Sequence, residues 1–159
     1  MPVDMTVPCG DGVLNLRVGA IIRRDGRVLM VKSRMGQGYY YSVGGRIRFG
    51  ETAEQAVLRE VREETGVRME IDRLGFVHEN YFYGDGAKTR GKLVYELSFF
   101  YYMKVPADFS PPVSFREGEH VETLHWVDPA SAARLFPEFF RTELKEPVGY
   151  VKFITTDER

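Results

Sequence analysis

The chain has 159 residues, 43% hydrophobic and 28% charged, enough for one ordinary core and too few for two, so a single domain over residues 1–159 is expected. With 22 basic and 23 acidic residues the formal net charge is −1, so no global field attracts a nucleic-acid polymer or an anionic membrane, and any anionic ligand must be held by local cations. Cys9 is the only cysteine, which excludes an internal disulfide and a cysteine-based zinc site and fits a reducing compartment.

Met1 to Gly12 shows no basic patch followed by an apolar run, so no signal peptide is expected, and the apolar stretches fall far short of the roughly 18 residues of a membrane span. A cytoplasmic protein follows as the expectation. Val13–Arg23 and Arg27–Lys32, with Asp25-Gly26 between them, predict two antiparallel strands joined by a tight turn. Ser33–Gly38 is a predicted loop, and Tyr39, Tyr40 and Tyr41 lead into the pair Gly44-Gly45. Thr52 and Gln55 form a capping-box pattern and Gly66 supplies a left-handed stop, predicting a helix from Ala53 to Thr65. Met69–Tyr83 and Lys92–Val105 are predicted strands joined by the loop Gly84–Gly91. Pro106–Pro112 is a break, His120–Val127 another strand, Pro129 to about Lys145 a helix interrupted near Pro137, and Gly149–Thr155 an edge strand or ordered tail.

At about 100° per residue, Ala53, Ala56, Val57 and Val61 form the apolar stripe of the predicted helix. Glu60, Glu63 and Glu64 fall in or beside that sector, so three carboxylates crowd one partly buried edge. Glu60 and Glu64 repel at i,i+4, Glu63 and Glu64 sit at the helix's negative end, and burial penalises each charge. Divalent cations, which seek oxygen ligands, reverse all three effects. The bland alternative is a solvated face balanced by Arg59 and Arg62, the usual case for a Glu-rich helix taken alone.

The surrounding spacing decides against the bland alternative. Gly45 is followed after five residues by Glu51, after seven more by Arg59-Glu60-Val61, and then by Glu63-Glu64 and Gly66-Val67. This segment resembles the complete Nudix box, the signature of a superfamily that hydrolyses nucleoside diphosphates linked to another moiety. The similarity extends from about Val13 to Lys145, including Trp126-Val127 before the predicted C-terminal helix. One departure is Val43, where many members carry proline.

The resemblance implies an α/β/α sandwich: a mixed, mostly antiparallel sheet with the Glu-rich helix on one side and the C-terminal helix on the other. It implies that Glu60, Glu63 and Glu64, with the carbonyl of Gly44, bind Mg²⁺ or Mn²⁺, and that Glu51 is an outer or auxiliary ligand. Arg59 would brace a neighbouring carboxylate, and Gly44 and Gly45 would let backbone approach metal and phosphate. Glu60 and Glu63 are candidate bases. Glu96, in an otherwise apolar-aromatic strand and on the face of Val94 and Ser98, is another, with Glu117 and Glu119, in a predicted loop, as alternatives.

For the substrate, Arg34 is the preferred phosphate contact, while Arg46 and Arg48 are expected to project to solvent. Tyr39, Tyr40 and Tyr41 before the site and Phe76, Tyr81, Phe82 and Tyr83 in the following strand could supply a base-stacking platform, most of them being packing residues and Tyr39 and Tyr83 the chosen candidates, and His78 and His120 are read as structural. The implied substrate is a small nucleotide derivative, with ADP-ribose, a dinucleoside polyphosphate and a nucleoside triphosphate equally open. A homodimer is expected by analogy. The rival reading is a catalytically silent Nudix-fold sensor of a nucleotide or metabolite, disfavoured because no box carboxylate is missing.

Overall fold

Alternating side chains along this chain build a sheet whose two faces are both covered. The computed structural model describes residues 2–33 and 38–159. In chain order its elements are β1 (Thr6–Cys9), β2 (Gly12–Ile21), β3 (Arg23–Arg24), β4 (Arg27–Ser33), β5 (Tyr39–Arg46), α1 (Ala53–Thr65), β6 (Glu70–Tyr83), β7 (Leu93–Lys104), β8 (Ser114–Glu117), β9 (His120–Val127), β10 (Arg134–Phe136), α2 (Phe140–Glu143) and β11 (Lys152–Asp157). The strands pair in the order β11-β6-β7-β2-β5-β4-β9-β8, with β1 attached to β2, β3 to β4 and β10 to β5. β2 with β7, β6 with β11 and β5 with β10 run parallel. The other strand pairings among the described residues are antiparallel, so the sheet is mixed and mostly antiparallel, as expected, and it is open. Among the described residues no helix is long and apolar enough to cross a membrane.

Consecutive strand residues enter different cores, as a two-residue period requires. Ala20, Leu29, Val31, Tyr101 and Met103 pack against Ala56, Val57 and Val61 of α1. Their neighbours Ile21, Val28, Met30, Phe100 and Tyr102 pack on the opposite face with Leu135, Phe140 and Leu144 around α2. β5 joins the two halves of the sheet: Tyr40, Tyr41 and Ser42 pair with β4, whereas Val43 to Arg46 pair with β2. α1 has the predicted limits because its end signals are local. Thr52 accepts from the Gln55 amide while Gln55 accepts from the Thr52 amide, and Gly66, at φ 74°, closes the helix onto Arg62.

Three expectations are corrected. The Asp25-Gly26 turn, with φ of 53° and 75°, joins β4 only to the two residues of β3, because β2 instead runs between β7 and β5. The helix expected over Pro129–Lys145 shrinks to the four residues of α2. Pro137 removes a backbone donor, and Arg134–Phe136 satisfy their own backbone by pairing with Tyr39–Tyr41 as β10. Arg141 ties the preceding loop by donating to the carbonyls of Ser131 and Ala133. The stretch read as a loop around Glu117 is the hairpin β8–β9, turned by Gly118 at φ 61°.

His78 is structural, as expected. It is buried beside Phe100 and Phe139, with Nε2 2.9 Å from the Thr156 hydroxyl, which itself donates to Asn80. The hydroxyl is therefore the acceptor and Nε2 carries the proton. Burial lowers the imidazole pKa to about 4, against the small opposing pull of Glu79. The folded protein thus binds fewer protons than the unfolded chain between pH 6.5 and about 4, so this contribution to stability is present above pH 6.5 and lost as pH falls through that window. The loss approaches about 1.4 kcal/mol per pH unit within the window. Urea midpoints at neutral and acidic pH should fall more steeply for the wild type than for His78→Asn; parallel profiles would contradict this.

Candidate active site

The helix edge that carries the glutamates lies against the end of β5, and two glycines make that approach possible. Gly44 adopts φ 153°, and a Cβ there would stand 2.2 Å from the Val18 carbonyl oxygen. Its amide donates to Glu64 Oε2 at 2.8 Å. A Cβ on Gly45 would stand 2.3 Å from Glu60 Oε1, so the missing side chain is the space the Glu60 carboxylate occupies.

Arg59 is the brace of this arrangement. Its Nε and Nη2 donate to the two oxygens of Glu51 at 2.6 and 3.0 Å, its Nη1 to Glu60 at 2.9 Å and Glu63 at 3.3 Å, and its Nη2 also to the Arg46 carbonyl at 3.0 Å. This planar fork links the loop after β5 to the helix, a geometry lysine cannot reproduce. The Glu51 contact and then Glu60 raise the Arg59 pKa further above its ordinary range, while Arg59 holds Glu51 below the usual carboxylate range. Glu51 also accepts from the Arg48 amide at 2.9 Å. Both Glu51 oxygens are thus engaged, and Glu51 does not line the cleft described next.

Glu60 and Glu64 are only 9% and 6% exposed. Burial pushes the Glu60 pKa up, opposed by Arg59 and reinforced by Glu63 and Glu117. Glu64 is pushed well above the usual range, first by burial and then by the Glu60 charge, against the Gly44 hydrogen bond. Two carboxylates that resist ionisation side by side form a donor set of oxygens suited to a hard divalent cation. Among the described residues no three His, Cys, Asp or Glu side chains converge into a finished metal cage, and Arg59 holds one oxygen each of Glu60 and Glu63.

These carboxylates open, with the half-exposed Glu63, into a cleft of about 530 Å³. Across it stand Arg116 and Glu117 of β8 and the buried Glu122 of β9. Arg17 of β2 and Arg46 of β5 also line it, and they are register partners on neighbouring strands. Arg48 lines it too, 4.0 Å from Glu63. Arg46 and Arg48, expected in solvent, line the cleft beside Asp4, 3.8 and 3.9 Å from its carboxylate, with Arg46 at the end of β5 and Arg48 in the turn toward α1.

Other candidates lie elsewhere. Glu96 does not line the cleft: it shares its strand face with Phe100 and Tyr102 of the α2-side core, 3.5 Å from Asn15 Nδ2 and 4.0 Å from Arg17 Nε. Tyr83 is an exposed residue at the end of β6, also off the cleft. Tyr39 packs edge-on against Phe136, with Arg134 over its ring. Arg34 lies outside the described residues. Glu119 and His120 flank the β8–β9 turn outside the cleft lining. Tyr41, one of the aromatics expected near the site, lines the cleft, whereas Arg17, Arg116 and Glu122 escaped the sequence reading. Glu122 left a signal, an acidic residue two positions before the core residue Leu124 on the same strand face.

The sequence profile of the NUDIX domain matches residues 13–146. The chain belongs to the Nudix family. Among curated Nudix relatives, it is 44% identical over 62 residues to a MutT-like protein of Streptomyces ambofaciens, covering 39% of this chain and 40% of that one. It is 37% identical over 59 residues to an ADP-ribose pyrophosphatase of Methanocaldococcus jannaschii, covering 36% and 35%. Each match spans well under half of the curated relative's own length. Among solved structures, a MutT NUDIX hydrolase from Burkholderia pseudomallei is 26% identical with a TM-score of 0.55, covering 76% of this chain and 88% of that one. The mMutator MutT protein from Bacillus halodurans, at 17% identity and a TM-score of 0.61 over 89% and 90% of the two chains, shares the Nudix fold. Nudix hydrolases generally use divalent metal ions.

Proposed function

We propose that this Nudix protein is a pyrophosphohydrolase that cleaves a phosphoanhydride bond in a nucleoside diphosphate linked to another moiety. The observation that carries the reading is the pair Glu60 and Glu64, buried, resistant to ionisation and seated where glycine removes every competing side chain. Glu60, Glu63 and Glu64, with the Gly44 carbonyl, would hold Mg²⁺ or Mn²⁺. When bound, such ions neutralise phosphate oxygens and make water a nucleophile near neutral pH.

The chain's own groups supply the rest. Arg59 holds Glu60 and Glu63 in place and fixes the loop through Glu51. The register partners Arg17 and Arg46 bring two cations to the cleft from neighbouring strands, Arg17 4.0 Å from Glu96 and Arg46 3.8 Å from Asp4. They are suited to the non-reacting oxygens of the diphosphate. Water attacks phosphorus in line as the bridging P–O bond breaks, the bridging electron pair leaves with the departing phosphate, and a carboxylate takes the water proton. Glu60 and Glu63 are the acceptors on the helix. Glu117, exposed across the cleft and close enough to raise the pKa of both Glu60 and Glu64, is the third candidate.

The test is hydrolysis of ADP-ribose, dinucleoside polyphosphates, nucleotide sugars, NADH and nucleoside triphosphates, read as the phosphomonoesters, nucleotides or pyrophosphate formed, with and without Mg²⁺ or Mn²⁺. Metal-dependent turnover of at least one is expected. Tight binding with no metal-dependent turnover on any would establish the sensor instead.

A further inference from the structure

The wall of the cleft formed by β5 continues into aromatic surface. Tyr41 lines the cleft, and its ring stacks on Phe136 at a centroid distance of 5.7 Å and an interplanar angle of 22°. Tyr39 meets Phe136 edge-on at 4.9 Å and Tyr41 at 6.3 Å. β10 delivers Phe136 to this place, since its parallel register sets Phe136 beside Tyr41. Neither ring of the stacked pair is core: Tyr41 is 39% exposed and Phe136 42%, although Leu135, between Arg134 and Phe136, is buried. Arg134, stacked over Tyr39 at 4.3 Å, completes an ordered surface rather than a frayed one.

The shelf is also correctly placed relative to the glutamates. Tyr41, Val43 and Gly45 alternate onto one face of β5, the face on which Glu60 meets Gly45. Four residues of strand separate Tyr41 from Gly45 by roughly 13 Å at about 3.3 Å per residue. A sugar and its phosphoryl groups reach over that distance, so a planar ring on Tyr41 leaves the anhydride at Glu60. Rings prefer offset stacking on such aromatic faces, and every nucleobase offers a flat face.

Resting on the pyrophosphohydrolase reading, we propose that Tyr41 and Phe136 form the stacking platform for the substrate's nucleobase. The continuity of this surface with the cleft commits it to a planar ring joined to a diphosphate. Tyr39 supports the platform from its edge and does not itself carry the base.

Calorimetric titration of the full chain in Mg²⁺ with ADP and, separately, with inorganic pyrophosphate tests this. Tyr41→Leu and Phe136→Leu should each weaken ADP by roughly tenfold or more while leaving pyrophosphate within about twofold. Thermal midpoints of both variants near that of the wild type confirm that the fold is intact, and Tyr41→Phe, which keeps the ring, should restore ADP binding. ADP affinity unchanged in both leucine variants, or ADP and pyrophosphate weakened alike, overturns the platform. Base-dependent binding that these variants abolish, in a protein that turns over nothing, would instead overturn the hydrolase reading and leave the platform standing.

Discussion

Glu64→Gln is expected to lower metal-dependent hydrolysis of the phosphoanhydride by roughly a hundredfold or more without unfolding the protein. The estimate follows from several kcal/mol of charge stabilisation by a correctly held ion, at about 1.4 kcal/mol per factor of ten. Stability should respond in the other direction. Glu64 is 6% exposed and sits close enough to Glu60 for the two charges to oppose each other, so in metal-free protein the carboxylate is a burden on the fold. Glutamine keeps the shape and can still accept from the Gly44 amide, which donates to Glu64 in the native protein. Thermal midpoints without metal should be equal or higher for the variant, and added Mg²⁺ should stabilise it less than the wild type. Retained turnover together with a lowered midpoint would show a structural carboxylate instead.

Gly45→Ala is expected to abolish most activity by a different route. Gly45 has no positive φ, so alanine suits the backbone, but its Cβ would lie 2.3 Å from Glu60 Oε1 and 2.6 Å from Cδ. The carboxylate must move, and it is buried, tied to Arg59 and has little room to yield. A displacement of about 1 Å at a reacting centre costs roughly a hundredfold in rate. Steady-state kinetics should show the loss mainly in kcat, with circular dichroism unchanged. Wild-type rates in this variant would mean that the position of Glu60 is not what the site depends on.

What was legible in the sequence were features coded by short spacing. The ends of α1 follow from Thr52, Gln55 and Gly66 alone, and the burial of Glu60 and Glu64 follows from their angular distance to Val57 and Val61. The two-core layering follows from alternation in the strands. Partners remote in sequence were not legible. Glu51 carries a charge that suits a cation, and nothing local shows that Arg59 takes both its oxygens. Phe136 looked like one residue of a helix; it belongs beside Tyr41 because the edge of β5 offers a strand more hydrogen bonds than the proline-interrupted segment can make for itself. Arg46 and Arg48 alternate with the buried Ile47 and so read as solvent-facing, but both line the cleft beside Asp4.

The change of partners within β5, from β4 at Ser42 to β2 at Val43, makes one strand common property of both halves of the sheet. A single inserted or deleted residue between Tyr41 and Gly45 would invert the facing of every side chain on one side of the lesion. It would turn Tyr41 away from the cleft or set a different atom against Glu60, and two hydrogen-bonded ladders would resist either slip. The length of this segment is therefore as tightly constrained as its two glycines.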